Sequence, residues 1–112
     1  MTELGWNREF ALEQAGDDEE MLRELLDLLL HSAQDCLDRI RKSVATGDGE
    51  AAGQAAHSIK GAAASLGLTA LSGLAYEIEK AGTAGELKDV RLLLSDLEKM
   101  IGQLASLRGP GP

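Results

Sequence analysis

The chain has 112 residues, which is enough for one domain with a single modest core. It contains only three aromatic residues and is rich in leucine and alanine, a composition that favours packed helices over a β-sandwich. The formal net charge of −8 disfavours binding to nucleic acid or to an anionic membrane surface, because both need a basic face.

Cys36 is the single cysteine, so an internal disulfide and a thiolate metal cluster are both excluded. The N-terminus has no basic segment followed by an apolar run, as a signal peptide would. Wholly apolar runs such as Leu28–Leu30 are far too short to span a bilayer. We therefore expect an acidic, cytoplasmic helical domain.

The first two predicted helices have recognisable ends. Asn7 can cap a short helix that Gly16 ends. Asp17 and Glu20 have the spacing of a capping box, which predicts that a long helix begins there and continues to Gly47. The apolar residues of this long helix recur in steps of three and four, at Leu22, Leu25, Leu26, Leu29, Ala33, Cys36, Leu37, Ile40 and Val44.

Three more helices are predicted after Gly47, with short connections between them. The first is capped by Asp48 and extends to Gly67, the second is capped by Thr69 and ends near Gly82, and the third follows a capping box of Thr83 and Glu86. The final helix has the spacing of a bundle seam, with apolar residues at Leu87, Val90, Leu94, Leu97, Ile101 and Leu104.

Four long helices with short connections predict an all-α fold, an antiparallel up-down-up-down four-helix bundle whose short N-terminal helix caps one end. We expect one domain over residues 1–108, with residues 1–6 as a loose lead-in. Residues 109–112, of sequence GPGP, cannot continue a helix and are predicted to be a disordered tail. A capped bundle of this kind can stand alone, so we expect a monomer.

One histidine lies on an unusual part of the third predicted helix. Each helical residue advances by about 100°, and Ile59 with Leu66 marks the direction of the core. His57 is two residues before Ile59, about 200° round the helix, and is therefore predicted to point outward.

The residues around His57 are small. Gly53 and Gly61 are predicted to flank it on the same face, Ala64 follows two turns on, and Lys60 lies about 60° to one side. A solvated helix face ordinarily carries long polar side chains, and a mid-helix glycine destabilises by roughly 1 kcal/mol relative to alanine. The pattern therefore indicates a surface kept open for a partner, with Gly53 and Ala64 as contacts.

Phosphoryl transfer to an imidazole nitrogen suits this arrangement. A histidine, with a reference pKa near 6.5, supplies a neutral nucleophile at neutral pH. In-line approach of a phosphorylated partner needs a side chain that stands clear of its helix. Lys60 supplies a flexible positive charge to offset the incoming phosphoryl group. Two simpler interpretations are a surface histidine and a small-residue face for helix packing.

The segment HSIKGAAASLG, residues 57–67, closely resembles the signature of histidine-containing phosphotransfer (HPt) domains, the carriers of two-component phosphorelays. The turns at residues 16–20 and 46–48 and the spacing of the later helices are also similar to that family. The resemblance covers nearly the whole chain.

The resemblance implies roles for individual residues. His57 would be the phosphoacceptor, Lys60 would assist the phosphoryl group, and Gly61 would keep the site open. Glu79 takes the position from which members of the family place an amide or carboxylate against the second ring nitrogen. Such a contact would fix the tautomer and leave the other nitrogen to attack. Gln54 is a further candidate contact to phosphate or partner.

For the other candidate residues, the sequence favours structural over functional roles. His31 lies off the apolar stripe and is predicted to be a surface residue, whereas Cys36 lies on the stripe and is predicted to be buried. The acidic run at residues 17–20 is typical of a helix start. A di-iron bundle needs Glu-x-x-His pairs, but Leu28 and Gln54 stand three residues before the two histidines.

The leading hypothesis is a phosphorelay carrier that accepts a phosphoryl group from a phospho-aspartyl receiver domain onto His57 and passes it to another receiver. No glycine-rich nucleotide loop is present, so no ATP-dependent activity and no cofactor of its own are expected. Mg²⁺ is expected in the partner receiver. The expected partners are response-regulator receiver domains and a hybrid sensor histidine kinase. The alternatives are a helical-bundle adaptor that carries no phosphate and a phosphoacceptor domain for a chemotaxis-type kinase.

Overall fold

The computed structural model describes residues 4–108, which form five α-helices. Helices α2 to α5 pack in cyclic order, with α2 and α4 each contacting both α3 and α5. This is the predicted antiparallel four-helix bundle, and its extents are 42 × 24 × 23 Å. The helices are α1 (Arg8–Gln14), α2 (Glu19–Thr46), α3 (Gly49–Ser65), α4 (Thr69–Thr83) and α5 (Leu87–Arg108).

Several helix ends lie where the sequence predicts them. The Asn7 side chain accepts a hydrogen bond from the Phe10 amide at 3.1 Å and caps α1. Gly47 caps the C-terminus of α2 with a φ of 79°, which glycine adopts without strain. The Asp48 carboxylate then accepts from the Ala51 amide at 3.0 Å and caps α3.

Two predicted N-caps are wrong by one residue. The cap of α2 is Asp18, whose carboxylate accepts from the amides of Glu20 and Met21, whereas Asp17 has a φ of 60° and lies in the turn before it. Helix α4 is preceded by Leu68, which makes no side-chain cap. Thr69 is the first residue of that helix.

The predicted capping box of Thr83 and Glu86 does not form. Thr83 is the last residue of α4, and α5 begins at Leu87. The Glu86 amide donates instead to the Ala81 carbonyl at 2.8 Å, which closes the turn after α4. The end of α4 lies within one residue of the predicted end near Gly82.

The N-terminal segment is anchored, which corrects the prediction of a loose lead-in over residues 1–6 for the part that is described. Leu4 is buried, and its carbonyl accepts from the Ala70 amide at 2.9 Å. The Trp6 indole donates to the Leu66 carbonyl at 3.1 Å. These bonds tie the segment to the α3–α4 connection, which sequence periodicity cannot reveal. The predicted tail, residues 109–112, lies outside the described residues.

The core follows the predicted apolar stripes, with additions. Leu30 and Met100 are buried although neither belongs to the predicted stripe of its helix. Ser43 is also buried, and its hydroxyl is satisfied by donating to the Arg39 carbonyl at 2.7 Å. The largest fully buried side chains are Ile40, Ile59, Leu68, Leu71, Ile78, Leu97, Leu104 and Val90.

Among residues 4–108, none of the helices combines the length and the apolar character needed to cross a membrane.

Candidate functional site

Helices α3 and α4 pack closely because small residues line their contact. Gly53 is buried there: a β-carbon added to it would lie 2.9 Å from the Thr83 hydroxyl oxygen and 3.2 Å from the Glu79 carbonyl oxygen. The prediction that Gly53 shares the exposed face of His57 and contacts a partner is therefore wrong. Its small size serves helix packing, because a larger residue would push α4 away.

His57 stands on the outside of the bundle, as its position relative to Ile59 predicts. Its side chain is 64% exposed, whereas Ile59 is 2% exposed. Gly61, one turn later, is exposed, and a β-carbon added there would meet nothing within 4 Å. Gln54 and Ala64 are exposed as well. The surface on the outer side of α3 is thus open around the imidazole ring.

Glu79 on α4 bridges the two functional candidates on α3. Its Oε2 atom lies 2.8 Å from Nδ1 of His57, and its Oε1 atom lies 2.7 Å from Nζ of Lys60. An ionised carboxylate can only accept hydrogen bonds, so Nδ1 carries the ring proton. The lone pair of His57 is then on Nε2, the ring nitrogen that Glu79 does not contact.

The charge state of Glu79 follows from its neighbours. The hydrogen bond from Lys60 is the main reason that the pKa of the Glu79 carboxyl lies below its ordinary value. Partial burial raises this pKa and so opposes the shift. The hydrogen bond with His57 lowers the pKa further. Glu79 is therefore ionised at neutral pH. An anion at this position stabilises positive charge on the imidazole ring and on the Lys60 ammonium group.

Three residues beside this cluster were missed by the sequence reasoning. The Ser72 hydroxyl donates to the Lys60 carbonyl at 3.0 Å, which ties α4 to α3 at this level. Two ammonium groups lie within cation–π distance of the Tyr76 ring, whose centroid is 5.2 Å from Lys60 Nζ and 4.7 Å from Lys80 Nζ. Tyr76 precedes Glu79 by three residues, and helical spacing could have placed it on the same side of α4.

The remaining candidates have the predicted environments. The His31 side chain is 71% exposed, and its Nδ1 atom lies 2.8 Å from the Asp27 carbonyl oxygen of its own helix. Cys36 is buried, and this burial raises the pKa of its thiol, which disfavours the reactive thiolate. In the part of the chain that the structure describes, no three His, Cys, Asp or Glu residues are grouped to hold a metal ion.

Comparison with known structures gives two neighbours with the same fold. One is histidine-containing phosphotransfer protein B (HptB) from Pseudomonas aeruginosa PAO1, with a TM-score of 0.84 and 23% identity, covering 93% of this chain and 90% of that one. The other is the HPT domain from the Hpt sensor hybrid histidine kinase from Shewanella, with a TM-score of 0.71 and 23% identity, covering 92% of each chain. No curated protein gives a significant sequence match.

The sequence also matches a family model. The Hpt domain model aligns with residues 24–107, which include most of α2 and all of α3 and α4. The matched range therefore contains His57, Lys60 and Glu79. Because this match covers most of the chain, the protein belongs to the Hpt domain family, the histidine phosphotransfer carriers of two-component signalling.

Proposed function

We propose that the protein carries a phosphoryl group on Nε2 of His57, accepts it from a phospho-aspartyl receiver domain and passes it to another receiver. The observation that carries this proposal is the exposed imidazole ring whose Nδ1 atom is held by Glu79 at 2.8 Å. One nitrogen is anchored by Glu79, and the other belongs to a ring that is largely exposed. A helix-packing role would not need an exposed ring with a fixed tautomer.

The transfer step follows from this geometry. The Nε2 lone pair of His57 attacks the phosphorus atom of the aspartyl phosphate, the N–P bond forms, and the P–O bond to the aspartate breaks. The aspartate leaves as a carboxylate. Because Nδ1 keeps its proton, the ring acquires a positive charge, which the Glu79 carboxylate stabilises. The reverse sequence delivers the phosphoryl group to the next receiver.

Two neighbours on α3 assist the step in this proposal. Lys60 is 30% exposed, so its ammonium group can contact solvent or an incoming phosphoryl group while it is bound to Glu79. Gly61 leaves open space beside the ring, through which the loops of a receiver can reach the phosphorus. Gln54 and Ala64 are exposed on either side of His57 along α3 and are candidate partner contacts.

The proposed carrier uses no nucleotide of its own, and the phosphoryl group comes from the partner. Phosphoryl transfer needs a cation to neutralise charge, and the acidic pocket of the receiver would hold the Mg²⁺. A receiver and a hybrid sensor histidine kinase are therefore the proposed partners, and we expect the carrier to act as a monomer.

The test is transfer from a ³²P-labelled receiver domain. The wild-type protein should acquire acid-labile, base-stable label within the time needed for one turnover, and His57→Gln should acquire none. His31→Gln is the matched control, because the His31 side chain is similarly exposed but lies on α2. Circular dichroism would verify that both variants remain helical.

Three outcomes would contradict the proposal. Label that persists in His57→Gln would eliminate this residue as the acceptor. Failure with every receiver of a broad panel would favour a helical adaptor. Label obtained only from ATP and a chemotaxis-type kinase would favour a phosphoacceptor domain of such a kinase.

A further inference from the structure

The position of the Lys60 ammonium group needs a physical explanation. A lysine side chain has many rotamers, so the loss of conformational entropy opposes the formation of any single contact. A partly exposed ion pair contributes little to stability, because solvent screens the two charges. The Glu79 carboxylate by itself is therefore a weak restraint on Lys60, yet Lys60 must stay next to His57 to act on a phosphoryl group.

Tyr76 provides the second contact. Its ring centroid lies 5.2 Å from Lys60 Nζ, within the range in which a cation is attracted to an aromatic face. Tyr76 and Glu79 are three residues apart on α4, so the ring and the carboxylate lie on the same side of that helix. The ammonium group of Lys60 therefore contacts an anion and an aromatic face together.

Lys80 is the second lysine beside the Tyr76 ring. Its Nζ atom lies 4.7 Å from the centroid of the Tyr76 ring and 3.2 Å from a carboxylate oxygen of Glu77. The two ammonium groups share one ring and repel each other. This repulsion disfavours a closer approach of Lys60 to Lys80.

We propose that Tyr76 is a positioning residue, whose ring holds the Lys60 ammonium group against the Glu79 carboxylate and thereby beside His57. The aromatic face of Tyr76, rather than its phenolic hydroxyl, makes the contact that holds Lys60. The placement of Lys60 is a property of the unphosphorylated protein. Its consequence for the rate of phosphoryl transfer rests on the proposed function.

The first experiment measures this placement without any transfer. The Glu79 side-chain carboxyl carbon is titrated by NMR in the wild type, in Tyr76→Phe and in Tyr76→Leu. Because the Lys60 hydrogen bond is the main cause of the low Glu79 pKa, loss of the ring in Tyr76→Leu should raise that pKa toward its ordinary value. Tyr76→Phe keeps the ring and should keep the low pKa. An unchanged Glu79 pKa in Tyr76→Leu would overturn the proposal.

The second experiment measures the rate of transfer from a phosphorylated receiver. Tyr76→Leu should slow transfer about two- to fivefold, the range expected for an exposed cation–π contact, and Tyr76→Phe should retain most of the rate. In a Lys60→Gln background, Tyr76→Leu should have no further effect. An equal loss in that background would show that Tyr76 acts through some other contact, such as docking of the receiver.

The two experiments separate the two proposals. If the wild-type protein accepts no label, the phosphorelay function fails, while the NMR titration still decides whether Tyr76 holds Lys60. Tyr76 is 47% exposed, so neither substitution removes a core side chain. Circular dichroism and urea unfolding would verify that the variants are folded.

Discussion

Gly53 of α3 and Gly82 of α4 lie directly against each other: a β-carbon added to Gly82 would be 2.8 Å from the Gly53 backbone nitrogen and 3.1 Å from its α-carbon. His57 is one turn after Gly53, and Glu79 is about one turn before Gly82. In an antiparallel helix pair these positions lie at the same level. The glycine contact therefore brings the Glu79 carboxylate within reach of the His57 ring.

Substitution of Gly82 should destabilise the bundle. The added β-carbon of Gly82→Ala would lie 2.6 Å from the Gly49 carbonyl oxygen, and backbone atoms cannot rotate away. We expect a loss of about 1–2 kcal/mol in the free energy of unfolding, because such overpacking outweighs the gain in helix propensity. Urea unfolding followed by circular dichroism would measure it.

The control for this change is Gly73→Ala, in the same helix, where an added β-carbon would meet nothing within 4 Å. This variant should be more stable than the wild type by up to about 1 kcal/mol. Equal stability of the two alanine variants would show that the contact between Gly53 and Gly82 does not restrain the helices.

Glu79 should affect transfer through its charge as well as its hydrogen bond. Glu79→Gln can still accept from Nδ1 of His57, but it removes the anion that stabilises the positively charged ring. We expect a rate of transfer about 10-fold lower, equivalent to about 1.4 kcal/mol, and a larger loss in Glu79→Ala, where the tautomer is no longer held. Rapid-quench assays would measure the rates, and ¹⁵N NMR of the ring would report the tautomer. Equal rates in all three proteins would leave Glu79 with no role in the step.

Stability should depend on pH through Glu79. The folded-state pKa of Glu79 is below its unfolded value of 4.5, so the unfolded state binds the proton more readily. The stabilising contribution of the carboxylate is therefore complete above pH 4.5 and is lost as the pH falls through the lower folded pKa. We expect the difference in unfolding free energy between the wild type and Glu79→Gln to be constant near pH 5 and to shrink at lower pH. A difference undiminished at pH 3 would contradict this assignment.

The open space at Gly61 should be needed for phosphoryl transfer from a partner and not for folding of the bundle. Gly61→Gln should increase stability by up to about 1 kcal/mol, because glutamine is a better helix former and an added β-carbon would meet nothing within 4 Å. The same side chain would stand beside the His57 ring and slow transfer from a receiver. We expect at least a 10-fold loss in kcat/KM.

Gly102→Gln is the matched control for Gly61→Gln. Gly102 is also exposed with nothing within 4 Å of an added β-carbon, but it lies on α5. It should gain similar stability and transfer at the wild-type rate. If both glutamine variants transfer equally fast, Gly61 does not keep the site open.

The sequence determined the features that depend on one helix at a time. Periodicity of about 100° per residue placed Ile59 inward and His57 outward, and it put Cys36 on the buried stripe. The presence and order of the helices followed in the same way from apolar spacing and from turn residues such as Gly47. These properties are local, so neighbouring residues along the chain are sufficient to specify them.

The tertiary structure decided the features that depend on where two helices meet. Periodicity put Gly53 on the open face with His57, but α4 covers Gly53 in the structure. Where a neighbouring helix packs closely, it buries more of the circumference of a helix than the apolar stripe predicts. The contact of one Glu79 carboxylate with both His57 and Lys60, and the Tyr76 ring beside Lys60, also depend on the separation and register of α3 and α4. Side-chain packing across the bundle sets these two quantities, and residue spacing within either helix does not contain them.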